Sequence, residues 1–196
     1  KRYTVIPQYC EDFYAKPACD ATLKAENSDV FTLMFAGNFS PAQSLPTALE
    51  AMAIVKDTPD APPCRLLLVG DGMSRAALEQ QAQTLALGDS VRFYGSVAPT
   101  EVPALAGACD ALLVSLSDSP DLGLTIPAKL ASCMAAAKPL LVSINGEGAA
   151  AAAESGGALV SPACDAPALA ENLLRDAPGA ADRCRRCAKA MEAGEM

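Results

Sequence analysis

Histidine is absent from all 196 residues. The commonest general base of enzymes is therefore missing, and any catalysis by this chain has to use a carboxylate or a group supplied from elsewhere. A metal centre is not expected either. The one C-x-x-C, Cys184 and Cys187, stands in a segment of helical pattern with no second pair at zinc spacing. Long apolar runs are also lacking: the hydrophobic stretches are short and broken by Gly, Pro or charge, and none is long enough to span a bilayer. The opening residues do not read as a secretory signal, so none is expected. Positive charge is scarce, with 15 Lys and Arg against 23 Asp and Glu and a net charge of -8. That balance argues against nucleic acid or an anionic membrane surface as the partner of this piece.

What is present suits one globular domain with a good core, 51% of the residues being hydrophobic. Eight cysteines are scattered through a chain large enough not to need disulfides, so reduced thiols and a cytoplasmic location are expected. From residue 31 onward, short apolar runs alternate with segments of helical period. Strands are expected at Phe31–Ala36, Arg65–Val69, Val91–Tyr94, Ala111–Leu116, Pro139–Ser143 and Gly157–Val160. Helices are expected near 44–56, 73–87, 100–108, 127–137, 147–155 and 165–176. Runs such as Leu66-Leu67-Leu68-Val69 are continuous rather than alternating, which fits strands covered on both faces. The expected fold is therefore α/β, a Rossmann-like doubly wound parallel sheet. Residues 1–24, with a proline-marked extended start, read as a connecting segment, 25–180 as the domain, and 181–196 as a terminal helix without a following strand.

Residues 123–142 carry the clearest functional signal. Thr125 and Pro127 are helix start signals, Lys129 falls in the first turn, and Lys138-Pro139 ends the helix before an apolar strand. Unpaired N–H groups at a helix start, with a lysine beside them, suit a phosphate. A packed helix carrying a solvated lysine is the plainer alternative. In open parallel sheets, ligands bind beyond the carboxyl ends of the strands, and four of those loops are rich in small residues. They are Gly37-Asn38, Gly70-Asp71-Gly72, Gly95-Ser96 and Asn145-Gly146-Glu147-Gly148. Together they suggest a nucleotide pocket.

The chain resembles a known family in Gly37-Asn38, Gln43-Ser44-Leu45, Leu68-Val69-Gly70-Asp71-Gly72, Arg75, Leu78-Glu79, Val91-Arg92-Phe93-Tyr94-Gly95, Thr125-Ile126-Pro127-Ala128-Lys129-Leu130, Met134-Ala135-Ala136 and Gly146-Glu147. These look like the donor-binding half of family-4, GT-B-type glycosyltransferases, with the closest similarity to the bacterial branch that builds O-antigen and capsule polysaccharides with amino sugars. Ile6-Pro7-Gln8-Tyr9 and Glu11-Asp12 are similar to that branch's crossover between its two domains. The resemblance implies a nucleotide-sugar donor, expected to be a UDP-sugar, retention of anomeric configuration, no further cofactor and no metal. It also implies a second, acceptor-binding domain outside this chain, through which any attachment to the inner face of a membrane would come. A non-catalytic binding or scaffold module, or half of a sugar-nucleotide epimerase, are the alternatives on the same architecture.

The departures from the family pattern are specific. An Arg and a Lys that grip the diphosphate in many members correspond to Asn38 and Gln43, and two glutamates, one toward the donor sugar and one toward the ribose, correspond to Leu124 and Ser132. The resemblance leaves the catalytic residues unassigned. It implies that Gly37, Gly70 and Gly95 allow backbone approach to the donor, with Asn38 and Gln43 near the phosphates. Lys129 and the N–H groups of Ala128 to Leu130 would take the diphosphate, and Ser96 and Val97 a base edge. Ser132 would face a ribose hydroxyl, and Asn145, Gly146 and Glu147 the donor sugar or the cleft rim. Arg75 is expected to pair with Glu79 one helical turn on.

Overall fold

The computed structural model describes residues 10–15 and 18–176. The Ile6-Pro7-Gln8-Tyr9 segment, the terminal helix expected over 181–196 and the Cys184/Cys187 pair lie outside the described residues.

Six strands form one sheet: β1 (Phe31–Ala36), β2 (Cys64–Val69), β3 (Val91–Gly95), β4 (Ala111–Ser115), β5 (Leu140–Ser143) and β6 (Ala158–Ser161). Their order is β3-β2-β1-β4-β5-β6, and every neighbouring pair is parallel. This is the Rossmann-like doubly wound sheet anticipated from the repeated β-α pattern. The strand order reverses between β1 and β4, the place where such sheets open a crevice for ligands.

Among the described residues, eight helices accompany the strands: α1 (Ala21–Glu26), α2 (Leu45–Asp57), α3 (Arg75–Thr84), α4 (Val102–Ala108), α5 (Pro120–Gly123), α6 (Ala128–Ala135), α7 (Glu147–Glu154) and α8 (Ala166–Asp176). Alternate strand residues feed two cores because successive side chains leave opposite faces of a sheet. Leu33, Phe35, Leu66, Leu68, Leu113 and Leu141 pack with Leu49 and Met52 of α2 and Leu169 and Leu173 of α8. Met34, Leu67, Val69, Leu112, Val114 and Val142 pack with Leu105 of α4, Leu130 and Met134 of α6 and Ala152 of α7. The edge strand β3 alternates half-buried and exposed residues, whereas β4 and β5 are buried throughout.

Two short helices escape a periodicity reading. In α1, the Asp20 carboxylate accepts the Leu23 N–H at 2.9 Å, a side-chain cap that stabilises a helix of only six residues. In α5, Pro120 sits in the first turn and four residues offer no period to detect. Thr125, expected as a start signal for the next helix, instead donates its hydroxyl to the Leu122 carbonyl at 2.9 Å and closes α5. Pro127 is then the N-cap of α6, and Lys129 is its second residue. At the other end, the Lys138 ammonium donates to the Gly107 and Cys109 carbonyls, tying the exit of α6 to the last turn of α4.

Candidate functional site

The C-terminal ends of β1, β2 and β3, the start of α6 and a 3-10 turn at Asp12–Ala15 surround a cavity of about 510 Å³. Of the residues singled out in the sequence, Gly37, Asn38, Gly70, Ser96, Val97, Ala128, Lys129 and Ser132 line it. Gln43 stands behind this wall and reaches it through Lys129. Gly95, Leu130, Asn145, Gly146 and Glu147 do not line it.

Lys129 is the centre of the arrangement. Its ammonium donates to the Gln43 side-chain oxygen at 2.8 Å and lies 3.5 Å from the centroid of the Phe35 ring. Among the described residues no carboxylate pairs with it. Burial therefore pulls its pKa from 10.5 down to about 8, opposed by the nearby Cys133 thiol. A partly buried cation held by a neutral amide and an aromatic face has charge left for an anion. The N–H groups of Ala128 and Lys129, in the first turn of α6, have no partner within the helix, and both residues line the cavity.

Gln43 holds its place through main-chain ties between the 3-10 turn at Pro41–Gln43 and the end of β4. The Ser115 hydroxyl donates to the Gln43 carbonyl, and the Ser117 N–H donates to the Ala42 carbonyl at 2.9 Å. Gln43 thus holds the lysine in place and does not itself line the cavity. The N–H of Leu130 is likewise committed, donating to the Pro127 carbonyl at 2.9 Å, while its side chain is in the core. Only Ala128 and Lys129 of the expected amide trio remain open.

The glycines divide by what surrounds them. A Cβ on Gly70 would come within 2.0 Å of the Gly37 carbonyl oxygen, so this glycine lets two loops of the protein meet. A Cβ on Gly37 would come within 2.9 Å of the Lys129 ammonium, so its bareness makes room for the cation. Gly95 has φ +97 and open space around its Cβ position, and it follows a register shift between β2 and β3. Its role is backbone conformation at an irregular strand end.

Asn145, Gly146 and Glu147 form a separate exposed corner. The Asn145 amide donates to the Asp118 carboxylate at 2.9 Å, and its oxygen accepts the Ala163 N–H at 3.0 Å, which latches the loops after β4, β5 and β6 together. Gly146, at φ +75, admits the Gly123 carbonyl, which a Cβ there would meet at 1.8 Å. Arg75 makes the expected pair with Glu79 at 2.8 Å, and also faces Asp71 at 3.6 Å and the Phe93 ring at 5.9 Å. That basic side chain is consumed locally.

From the segment before β1, Glu11 and Tyr14 also line the wall, and neither was singled out as a ligand in the sequence. The Ser132 hydroxyl, expected to meet a ribose, donates to the Glu11 carboxylate at 2.9 Å. Nothing in the local sequence signals this meeting, because 121 positions separate the two residues. The Tyr14 phenol is pushed up in pKa, chiefly by burial. Elsewhere in the chain the six described cysteines are free thiols, and no group of three or more His, Cys, Asp or Glu residues is placed to hold a metal among the described residues. No described helix is long and apolar enough to cross a membrane.

The family model described as "Glycosyl transferases group 1" matches residues 30–176. Among solved structures, the chain is similar to Anabaena HepE in complex with UDP and glucose, with 20% identity over 94% of this chain and 50% of that one, at a TM-score of 0.71. It is similar to sucrose-phosphate synthase from Thermosynechococcus elongatus, with 21% identity over 94% of this chain and 47% of that one, at a TM-score of 0.70. The C-terminal domain of LpcC from Francisella tularensis, a glycosyl transferase group 1 family protein, matches at 13% identity over 94% of this chain and 92% of that one, at a TM-score of 0.64. At these identities the likeness is one of fold. The chain spans about half the length of HepE and of the synthase. No curated protein matches the chain.

Proposed function

The chain belongs to the group 1 glycosyl transferases, and we propose that it is the donor-binding half of a retaining enzyme that transfers a hexosyl or hexosaminyl unit from a UDP-sugar. The observation that carries this reading is Lys129: a cation with no carboxylate partner among the described residues, at the second residue of α6, on the wall of a cavity at the carboxyl ends of the strands. Solved structures of similar fold hold UDP or UDP-glucose, which supports the choice of donor.

In this reading the diphosphate lies on the Lys129 ammonium and the Ala128 and Lys129 amides, with the Asn38 side chain beside it. As the bond from the sugar to the diphosphate breaks, the negative charge that collects on the leaving phosphate is met by groups already in place, the electrostatic stabilisation that such transfer needs most. The acceptor oxygen bonds to the anomeric carbon and its proton passes to the departing phosphate, so no histidine is required. The acceptor is bound by a second domain outside this chain, with residues 1–24 as the crossover, 25–180 as the donor domain and 181–196 as a terminal helix. The family-4 branch that builds O-antigen and capsule polysaccharide in the bacterial cytoplasm, at the inner membrane face, is the setting that the Thr125-Ile126-Pro127-Ala128-Lys129 motif favours. No further cofactor or metal is invoked.

Calorimetric titration with UDP tests the reading. A Lys129→Met chain is expected to bind UDP weaker by about 1.5–3 kcal/mol, the range for a charge-assisted hydrogen bond, and to bind uridine unchanged. Equal UDP affinity in both proteins would put the phosphate site elsewhere.

A further inference from the structure

The cavity has an acidic side as well as a basic one. Two carboxylates line it, Glu11 and Asp71. Asp71 is occupied: it accepts the N–H of Gly72 at 2.7 Å and faces the Arg75 guanidinium at 3.6 Å. Glu11 faces no cation among the described residues, and the one donor shown on it is the Ser132 hydroxyl, which meets Oε2. A carboxylate has room for about four such bonds, so Oε1 and the remaining lone pairs of Oε2 are left without a donor among the described residues, on a side chain that lines the cavity.

The position of this carboxylate is built rather than incidental. The Tyr14 N–H donates to the Glu11 carbonyl at 3.0 Å, closing the 3-10 turn, and the Tyr14 side chain lines a small space of about 30 Å³ with Met34, Ala36, Val102 and Cys133. Farther along the same segment, the Asp20 N–H donates to the Ala104 carbonyl at 2.9 Å, and Gly107 is bare where the Ala18 carbonyl comes down on α4. The described residues that precede β1 thus lie against α4 through Ala18 and Asp20 and against α6 through Glu11, which lines the cavity. Lys129 and Ser132 are three residues apart on α6 and share one face, about 5–6 Å between Cβ atoms. A ligand lying along that face meets a cation at one end and a carboxylate acceptor one turn away.

Resting on the reading of the site as a nucleoside-diphosphate cavity, we propose that the Glu11 carboxylate, anchored on Ser132, receives the ribose hydroxyls of the nucleotide whose phosphates lie on Lys129. A vicinal diol supplies two O–H donors on one edge, and a carboxylate is the acceptor that takes both. Phosphate would be repelled by the same group, so Glu11 also sets the direction in which the nucleotide lies. Ser132 is the positioning residue: it fixes one carboxylate oxygen and leaves the other for the ligand.

The test pairs one substitution with one ligand change. The 196-residue chain and its Glu11→Gln variant are titrated by calorimetry with UDP and with 2′,3′-dideoxyuridine diphosphate, and in parallel with GDP and its dideoxy analogue. Glutamine retains an oxygen for the Ser132 hydroxyl, and a thermal melt checks that the fold is kept. The unsubstituted chain is expected to bind UDP about 10-fold tighter than the dideoxy analogue, and Glu11→Gln to lose about that factor for UDP while leaving the analogue unchanged. Equal weakening of both ligands, or none of either, overturns the assignment. A different result marks failure of the wider reading: if the unsubstituted chain binds neither UDP nor GDP, the cavity is not a nucleotide site at all and both readings fall.

Discussion

The ammonium of Lys129 lies 2.8 Å from the side-chain oxygen of Gln43, 86 positions earlier in the chain. The contact joins the loop after β1 to the start of α6 across the switch point of the sheet. A carboxylate at position 43 would quench the lysine, and a hydrocarbon would leave its ammonium desolvated on the Phe35 ring alone. A neutral amide holds the cation in place and leaves its charge for a ligand.

That balance predicts a cost from Gln43→Leu. With its hydrogen-bond acceptor gone, the partly buried ammonium has less to favour the charged form, and UDP affinity at pH 7.5 should fall by about 1 kcal/mol. Calorimetry at pH 6.5 should recover most of the loss, because protonation there is easier. Loss of equal size at both pH values would mean that Gln43 touches the ligand directly.

Lys129 also predicts a pH signature. Its folded pKa of about 8 lies below its ordinary 10.5, so between those values the unfolded chain holds a proton that the folded one has released. Stability contributed through this group therefore rises with pH from about 8 to about 10.5, and the charged lysine is a burden below that window. Lys129→Met should melt no lower than the parent at pH 7, and the difference between the two proteins should shift toward the parent as pH rises to 10. A constant difference across that range would contradict the burial of the ammonium.

Ligand binding responds in the opposite sense. A diphosphate favours the charged lysine, so above pH 8 binding has to take up a proton and UDP affinity should fall toward about tenfold per pH unit. Titrations at pH 8.5 in two buffers of different ionisation enthalpy should report proton uptake, and Lys129→Met should abolish it.

Gly70→Ala and Gly95→Ala should separate two reasons for glycine. At Gly70 the new Cβ would overlap the Gly37 carbonyl and φ is +130, so a loss of about 3 kcal/mol or more is expected in chemical denaturation. At Gly95, with φ +97 and open space, the conformational strain alone should cost about 1–2 kcal/mol.

Asn145→Ala should act on stability rather than on binding. It removes the bonds to Asp118 and to the Ala163 N–H and should cost about 1–2 kcal/mol, with UDP affinity unchanged. A clear loss of UDP affinity without loss of stability would place Asn145 at the ligand after all.

Residue order alone determined the strands, the parallel sheet, the main helices and the place of Lys129 at a helix start, because those features follow from local apolar runs, prolines and glycine-marked loops that lie close together in the chain. The i,i+4 pair of Arg75 and Glu79 was legible for the same reason. Only the tertiary structure decided which polar groups face the cavity. Gln43 holds Lys129, the Leu130 amide closes onto Pro127, and Asn145 ties three loops together, each through a partner that local periodicity does not specify. Short elements such as α1 and α5 depend on a side-chain cap or a proline rather than on a period, and so left little trace in the hydrophobic pattern. Glu11 meets Ser132 because the described residues before β1 lie against α4 and α6, and a contact made by folding across 121 positions has no signature in either neighbourhood.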